Sequence, residues 1–334
     1  MGLPTCRAAR LVSRAMRAVP LVADRDAALP VLWEDEYFIA VDKPEGMQTA
    51  PVHRYKGGSV VNALIGQLGG RPPHVLHRLD MDTSGVLLMA KQPGVVAAVH
   101  RQFRRREVGK LYLALGVGQG QAPGTCYHAD QAIGRHPEEA NARQLQPGGQ
   151  PAHTTCLLLS CSRGEGVREM LRQGKRAPFF ASQAAPHLHS VCLAAASPHS
   201  GRTHQIRLHL AAHGHPLLGD DLYGLQGPWI ARQALHAARL EFKHPVTGQQ
   251  VAVHAPLPKD ICSAATAFGL QDELLTPAPE AASRLAWAQS DLQPGCNDLH
   301  SEQQLQHHRM MQVQLLDQAW YRVTQESKPC HDSQ

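Results

Sequence analysis

Residues 77–85 read His-Arg-Leu-Asp-Met-Asp-Thr-Ser-Gly, and a second dense block, Ser200–Tyr223, carries Gly-Arg-Thr-His-Gln-Ile-Arg at 201–207. Asp80 follows Leu79 and precedes a turn signal that ends at Gly85. A carboxylate fixed at such a strand end can serve as nucleophile, base or metal ligand. The plain alternative is a turn-capping aspartate, and Asp82 suits that role better, because its side chain can reach the backbone two residues on. In the second block, Thr203 is expected to cap a helix whose start offers free N–H groups and a positive dipole end. Arg207 is then placed to pair with a carboxylate or a phosphate, with Gly201, Arg202 and His204 crowding further donors at the same end.

Positioning these groups requires strands on either side of Asp80 and a helix under Arg207. Tyr37–Val41 reads as a strand that stops at the Lys43-Pro44 turn, since the residue before proline is pushed out of the helical region. Ser59 can cap a short helix with Val60, Val61, Leu64, Ile65 and Leu68 on one face. Val86–Ala90 reads as a buried strand, and Pro93 opens a helix that runs to about Arg106 through Arg104 and Arg105. Further strands are expected at Leu111–Val117, His153–Leu159, Val191–Ala195 and Leu235–Phe242, and Gly214 suits the left-handed end of the Thr203 helix. Strands and helices interleave without a regular βαβ rhythm, so the expectation is an α+β fold with a mixed, largely antiparallel sheet and flanking helices.

Three zones are expected along the chain: a basic leader at 1–30, a folded catalytic body at 31–270 with a polar surface insertion at about 161–189, and a low-complexity tail at 271–334. Within the tail, Val313, Leu316, Trp320 and Val323 fall at helical spacing and read as a small docking helix.

The order and spacing of several segments resemble the RluA-type family of RNA pseudouridine synthases. Val41-Asp-Lys-Pro-Glu-Gly46 is similar to the family's first motif, and His77-Arg-Leu-Asp80 with Thr83-Ser-Gly85 to its catalytic motif. Lys110-Leu-Tyr-Leu-Ala114 and Gly201–Arg207 with Gly214-His-Pro216, Gly219-Asp220 and Tyr223-Gly224 follow. Leu235-His-Ala237, Leu240, Phe242 and His244-Pro245 complete a match over roughly 31–262. The resemblance implies isomerisation of uridine to pseudouridine in structured RNA, ribosomal or transfer, with Asp80 as nucleophile. The Asp80 carboxylate is then expected on the base, on the sugar, or as the base that forms a glycal. By the same resemblance Arg207 pairs with Asp80, Tyr112 stacks on the target base, and Arg78 fills the gap left by a flipped-out nucleotide. Arg104, Arg105, Arg106, Lys110, Arg202 and His204 are expected to hold RNA. The reaction needs no cofactor and no metal, and a monomer is expected.

Composition bounds these readings without deciding them. The 334 residues carry a formal charge of +5, with 21 histidines and eight cysteines. A pI of 8.8 admits a polyanionic partner. The cysteines are scattered with no Cys-x-x-Cys pair, so reduced thiols are expected. No apolar run approaches a membrane span. Arg7, Arg10, Arg14 and Arg17 precede the first acid, Asp24, which suits a mitochondrial or chloroplast transit peptide, with a basic RNA-holding N-terminus in cytoplasm or nucleus as the alternative. Two other functions fit parts of the pattern. One is a non-catalytic RNA-binding protein of the same fold. The other is a metal hydrolase using His209 and His213, spaced to share one ion, although no His-Glu-x-x-His is present.

Overall fold

The apolar runs assemble into one large sheet with its helices on the faces. The structure is a computed structural model that describes residues 21–180 and 188–270, with residues 317 and 319 beyond them. In chain order the strands are β1 Val31–Glu34, β2 Phe38–Lys43, β3 His74–Val75, β4 Ser84–Ala90, β5 Gly109–Gly118, β6 Cys126–Ala129 and β7 Ile133–Arg135. They continue as β8 Arg143–Leu145, β9 Thr154–Arg163, β10 Lys175–Arg176, β11 Ser190–Pro198, β12 Leu225–Gln226, β13 Leu235–Lys243 and β14 Gln250–His254. The helices are α1 Val60–Gln67, α2 Val96–Arg105, α3 Glu165–Arg172, α4 Gln205–Ala212 and α5 Lys259–Ala267.

The main sheet runs β1-β2-β4-β13-β5-β11-β9-β6, with β14 on β13 and β3 on β4. Its pairs are antiparallel except β4 with β13, which run parallel through His236↔Ser84 and Ala237↔Gly85. The expected α+β class with a mixed sheet is what forms. Each expected strand is present, several a residue or two longer than the apolar run that announced it. β2 extends through Lys43, because Lys43 still pairs with Gly85 of β4.

The sheet buries side chains on both faces. Leu111, Leu113, Leu115 and Val117 of β5 pack with Val167 and Leu171 of α3 and Ile261, Ala264 and Ala265 of α5. The alternate residue Ala114 packs with Ala194, Ala196, Ile206 and Leu210 on the side of α4. The polar stretch at 161–189 therefore contributes Val167, Leu171 and Ala177 to the buried apolar residues. Leu29 is buried against α1, and Asn62 Nδ2 donates to Val22 O at 2.6 Å, so packing reaches back into the expected leader. The leader arginines and the apolar stripe of the tail lie outside the described residues. Ala319 is buried in the core cluster, and Asp317 bonds Arg239 Nε and His254 Nε2, each at 3.0 Å.

Local signals held in part. Ser59 caps α1 with a reciprocal Asn62 contact, and Gly214 takes the left-handed conformation after α4. Thr203 does not cap α4: the cap position is His204, with φ 59° and no capping hydrogen bond from its side chain. The reason lies one residue on, where Gln205 Oε1 already accepts from Arg202 N and Ser200 Oγ and closes the turn. The expectation of reduced thiols also fails at one place. Cys161 and Cys192 face each other in register across β9 and β11 and are joined as a disulfide, a pairing that a separation of 31 residues does not announce.

Gly85 is the tightest point of the sheet. It has φ +109°, and a Cβ there would overlap the Ala237 carbonyl and amide. Gly85→Ala is expected to cost about 2–5 kcal/mol from backbone strain plus overpacking. Chemical denaturation of the variant measures this directly, and a loss under 1 kcal/mol would show that the β4–β13 contact tolerates a methyl group.

Candidate active site

One transverse row of the sheet assembles the site. Ala237 of β13 pairs with Gly85 of β4 on one side and with Tyr112 of β5 on the other, and Tyr112 pairs in turn with Ala196 of β11. The turn before β4 carries Asp80, and the segment after β11 carries 199–207. Register alone thus brings the two blocks, more than a hundred residues apart, to one place.

The turn itself is closed by its backbone, Thr83 N donating to Asp80 O at 3.1 Å. Asp82, expected as the side-chain capper, makes no side-chain hydrogen bond among the described residues; its carbonyl accepts from Arg232 Nη1 at 2.9 Å instead. Lys43 is fully buried, and its Nζ donates to the carbonyls of Pro44, Met47 and Met81 at 2.7, 2.7 and 2.6 Å. Burial pulls its pKa down to about 8, opposed by the charge of Asp82. Three carbonyl acceptors call for three N–H donors, so this lysine is an ammonium at neutral pH. Gln233 Nε2 donates to Thr83 Oγ1 at 3.2 Å, and Ser84 Oγ bonds His236 Nδ1 at 2.9 Å. Arg232 is itself fixed by Asp260 at 2.7 Å.

A cleft of about 710 Å³ opens over this turn, a size suited to a small ligand or a single nucleotide. Asp80, Tyr112 and Arg207 all line it, as do Arg78, Lys110, Arg202 and His204. Arg104 and Arg106 reach it from the end of α2, Arg106 through a left-handed cap with φ 61°. Arg105 does not line the cleft; it is exposed and lies 3.7 Å from Glu107.

Arg207 departs from expectation in its partner. Its guanidinium is 4% exposed and clamps the fully buried Asp220 through two hydrogen bonds of 2.6 Å, with Asp221 at 3.0 Å. No ion pair of Asp80 occurs among the described residues. Asp80 instead acts on Arg207 through space: burial alone would lower the arginine's pKa, and the bonds and charge of Asp220 together with the charges of Asp80 and Asp221 hold it up. The Tyr223 ring lies under Arg207 at 5.1 Å, and Tyr223 Oη bonds His204 Nδ1 at 2.9 Å. Burial pushes the Tyr112 phenol up, and the negative charge of Asp80 pushes it further. Tyr112 is therefore a neutral ring at working pH and not a base. His204 is held neutral by burial, partly opposed by Asp80.

A reading from sequence found the lining cations and missed what fixes them. Asp220 was visible only as part of Gly219-Asp220, and Lys43 only as a motif letter. His236 was visible only as the middle of the Leu235-His-Ala237 segment, and Arg232 and Gln233 carried no signal beyond lying just before it. The histidines considered for a metal have other partners: His209 bonds Thr154 Oγ1 at 2.8 Å and Gln131 O at 3.0 Å, and His213 stacks on Tyr127. Among the described residues no group of three or more His, Cys, Asp or Glu could hold a metal ion.

A model of the RNA pseudouridylate synthase family matches residues 37–212, the span that holds Asp80, Tyr112 and Arg207. The chain belongs to this family. It is 35% identical over 248 residues to ribosomal large subunit pseudouridine synthase D of Nitrosomonas europaea, covering 70% of this chain and 64% of that one. It is 34% identical over 255 residues to the uncharacterized RNA pseudouridine synthase YjbO of Bacillus subtilis, covering 75% and 78%. The solved structure of human RNA pseudouridylate synthase domain containing 1 superposes with a TM-score of 0.55 at 23% identity, covering 71% of this chain and 87% of that one, and shares the fold. The protein is thus an RNA pseudouridine synthase, an isomerase acting on RNA. Among the described residues no helix is long and apolar enough to cross a membrane.

The buried pair gives a direct test. Arg207→Ala leaves Asp220 as an unpaired carboxylate in the interior and is expected to destabilise the fold by about 3–5 kcal/mol. Urea unfolding measures it; an unchanged midpoint would mean that Asp220 finds water or another donor.

Proposed function

We propose that Asp80 is the catalytic carboxylate of uridine isomerisation, and that the 710 Å³ cleft receives one uridine flipped out of the RNA. The reaction breaks N1–C1′, turns the base, forms C5–C1′ and moves a proton from C5 to N1, so atoms and electrons balance within the substrate. The observation that carries this reading is convergence: a half-buried carboxylate, a neutral aromatic ring and a buried guanidinium, from three distant segments, line one cleft. In it, Tyr112 stacks on the uracil, a contact of about 1–3 kcal/mol. Arg207, held by Asp220, supplies positive potential to Asp80 without occupying its oxygens. Arg78, exposed at the rim, fills the gap left by the extruded nucleotide. Arg104, Arg106, Lys110 and Arg202 hold the phosphates, while Arg105 is left to the outer surface. The names of several relatives point to ribosomal RNA of the large subunit as the substrate, and the enzyme acts as a monomer.

Asp80→Asn is expected to remove pseudouridine formation by at least about 10³-fold while the variant keeps its fold and binds RNA within a few-fold of wild type. Chemical mapping of pseudouridines in RNA from cells with wild-type chain, without it, and with the Asn variant reads both the site and the role. Full modification by the Asn variant would assign the protein to RNA binding without catalysis.

Lys110 adds a pH dependence. Burial lowers its pKa to about 8, so it is cationic at pH 7 and loses its charge as pH rises through 8. One phosphate-facing charge is worth roughly 1 kcal/mol at 4 Å in water, so RNA Kd should weaken about fivefold between pH 7 and 9. Lys110→Arg should flatten that rise; an unchanged slope would remove Lys110 from the RNA contact.

A further inference from the structure

Residues 48–59 form a closed loop that the catalytic cleft does not use. Its neck is pinned twice: Gln48 and Ser59 form a β-bridge, and Val60 N and Val61 N donate to Gln48 O and Thr49 O at 2.9 and 3.2 Å. The neck is also tied to the catalytic turn. Thr49 Oγ1 donates to Leu79 O at 3.0 Å and accepts from Leu79 N at 3.2 Å, one residue before Asp80. The tip is a tight turn in which Lys56 N donates to His53 O at 2.9 Å, followed by Gly57 and Gly58.

The tip presents aromatic surface outward. Tyr55 is 65% exposed and Val52 67%. The His53 and Tyr55 rings are parallel, 1° apart in orientation with centroids at 5.3 Å, so the imidazole supports one face of the phenol ring. A single exposed apolar residue is ordinary. Here Val52, His53 and Tyr55 fall within one short turn, with Arg54 between the rings and Lys56 after them. Rings interleaved with cations are what single-stranded nucleic acid binds, bases on the rings and phosphates on the charges. Gly57 and Gly58 leave the turn open on its far side: a Cβ at either would meet nothing within 4 Å.

We propose that the His53–Tyr55 pair is a stacking platform for an unpaired base of the RNA substrate, outside the cleft that takes the reacting uridine. This rests on the RNA reading given above and adds to it a second, separate contact. Tyr55 lies six positions after Thr49, so its backbone is at most about 20 Å from the Thr49 that is bonded to Leu79. The base it holds is therefore close in space to the one that reacts, whatever their separation along the RNA. The platform therefore selects uridines that have an unpaired base near them, and it rejects continuous duplex.

The test is single-turnover pseudouridine formation on total RNA from cells lacking the protein, over a range of concentrations of the full chain. Tyr55→Ala and Tyr55→Leu should each raise the enzyme concentration for half-maximal rate by between about 5- and 100-fold, the range that loss of one base–aromatic stack produces. Tyr55→Phe, which keeps the ring, should rescue it to within twofold. The Leu variant separates stacking from mere apolar contact, and because the side chain is exposed the fold is not at stake. If Tyr55→Ala matches wild type while wild type modifies the RNA, the platform falls and the catalytic reading stands. If wild type forms no pseudouridine in any of the RNA, both fall together. A concentration shift shared by the Phe variant would also overturn the platform, since it would trace to the hydroxyl and not to the ring.

Discussion

The whole site depends on how the carbonyl groups of the turn at 80–83 are satisfied. A turn that enters a buried strand directs backbone oxygens toward the protein, and each that loses water must find a donor. Two cations from elsewhere in the chain meet that demand. Lys43 takes the Met81 carbonyl and Arg232 the Asp82 carbonyl, while Gln233 and His236 take the Thr83 and Ser84 hydroxyls. The donors come from β2 and from β13 with the segment that enters it, and these two strands flank β4. The turn is consequently held from both neighbouring strands, and Asp80 inherits its position from residues that do not line the cleft.

A second consequence concerns charge. On the proposed role of Asp80, a bidentate pairing with a guanidinium would occupy both of the carboxylate oxygens that the reaction needs. The fold resolves this by giving Arg207 a different anion. Asp220 is fully buried and accepts from Leu222 N and Tyr223 N as well as from Arg207, so its lone pairs are spent within the protein. Arg207 is fixed by that pair and by the Tyr223 ring, and its remaining field falls on Asp80. The direct Asp80–Arg207 bond expected from resemblance would have given the same sign of electrostatic effect while occupying the carboxylate oxygens.

The strands and the blocks around Asp80 and Arg207 were legible because each depends on local sequence: apolar runs of five to seven residues, proline before a helix, glycine after one. What was not legible depends on register. Nothing in the sequence places Cys161 opposite Cys192, or Ala237 between Gly85 and Tyr112, until the sheet is assembled. α5 was missed because Lys259–Ala267 mixes Ser, Thr and Cys into a short helix with no side-chain cap, and only packing of Ile261, Ala264 and Ala265 makes it stable. β6 and β14 are short and half-exposed, with burial too uneven to give a period. His204 illustrates the opposite case. A left-handed residue without glycine is locally unfavourable, so propensity favours Thr203 as the cap; the surrounding bonds of Gln205 and Tyr223 hold the strained residue in the cleft.

The distribution of charge explains why composition understates the partner. A formal charge of +5 over 334 residues is mild and fits many proteins. Yet the cleft is lined by Arg78, Arg104, Arg106, Lys110, Arg202 and Arg207 with Asp80 as the one acid among its lining residues. The excess of positive charge is therefore concentrated at one opening, while on α3 the cations are balanced by Glu165 and Glu169. A polyanion senses the local field and not the total, because beyond about 10 Å at 0.1 M salt a distant charge is screened. Cations from α2, β5 and the segment after β11 converge on that opening for the same reason that Asp80 and Tyr112 do: the central row of the sheet gathers the ends of those elements. The row that brings Asp80, Tyr112 and Arg207 together thus also gathers the cations around them, and on the proposed function that field draws the RNA phosphates toward the carboxylate.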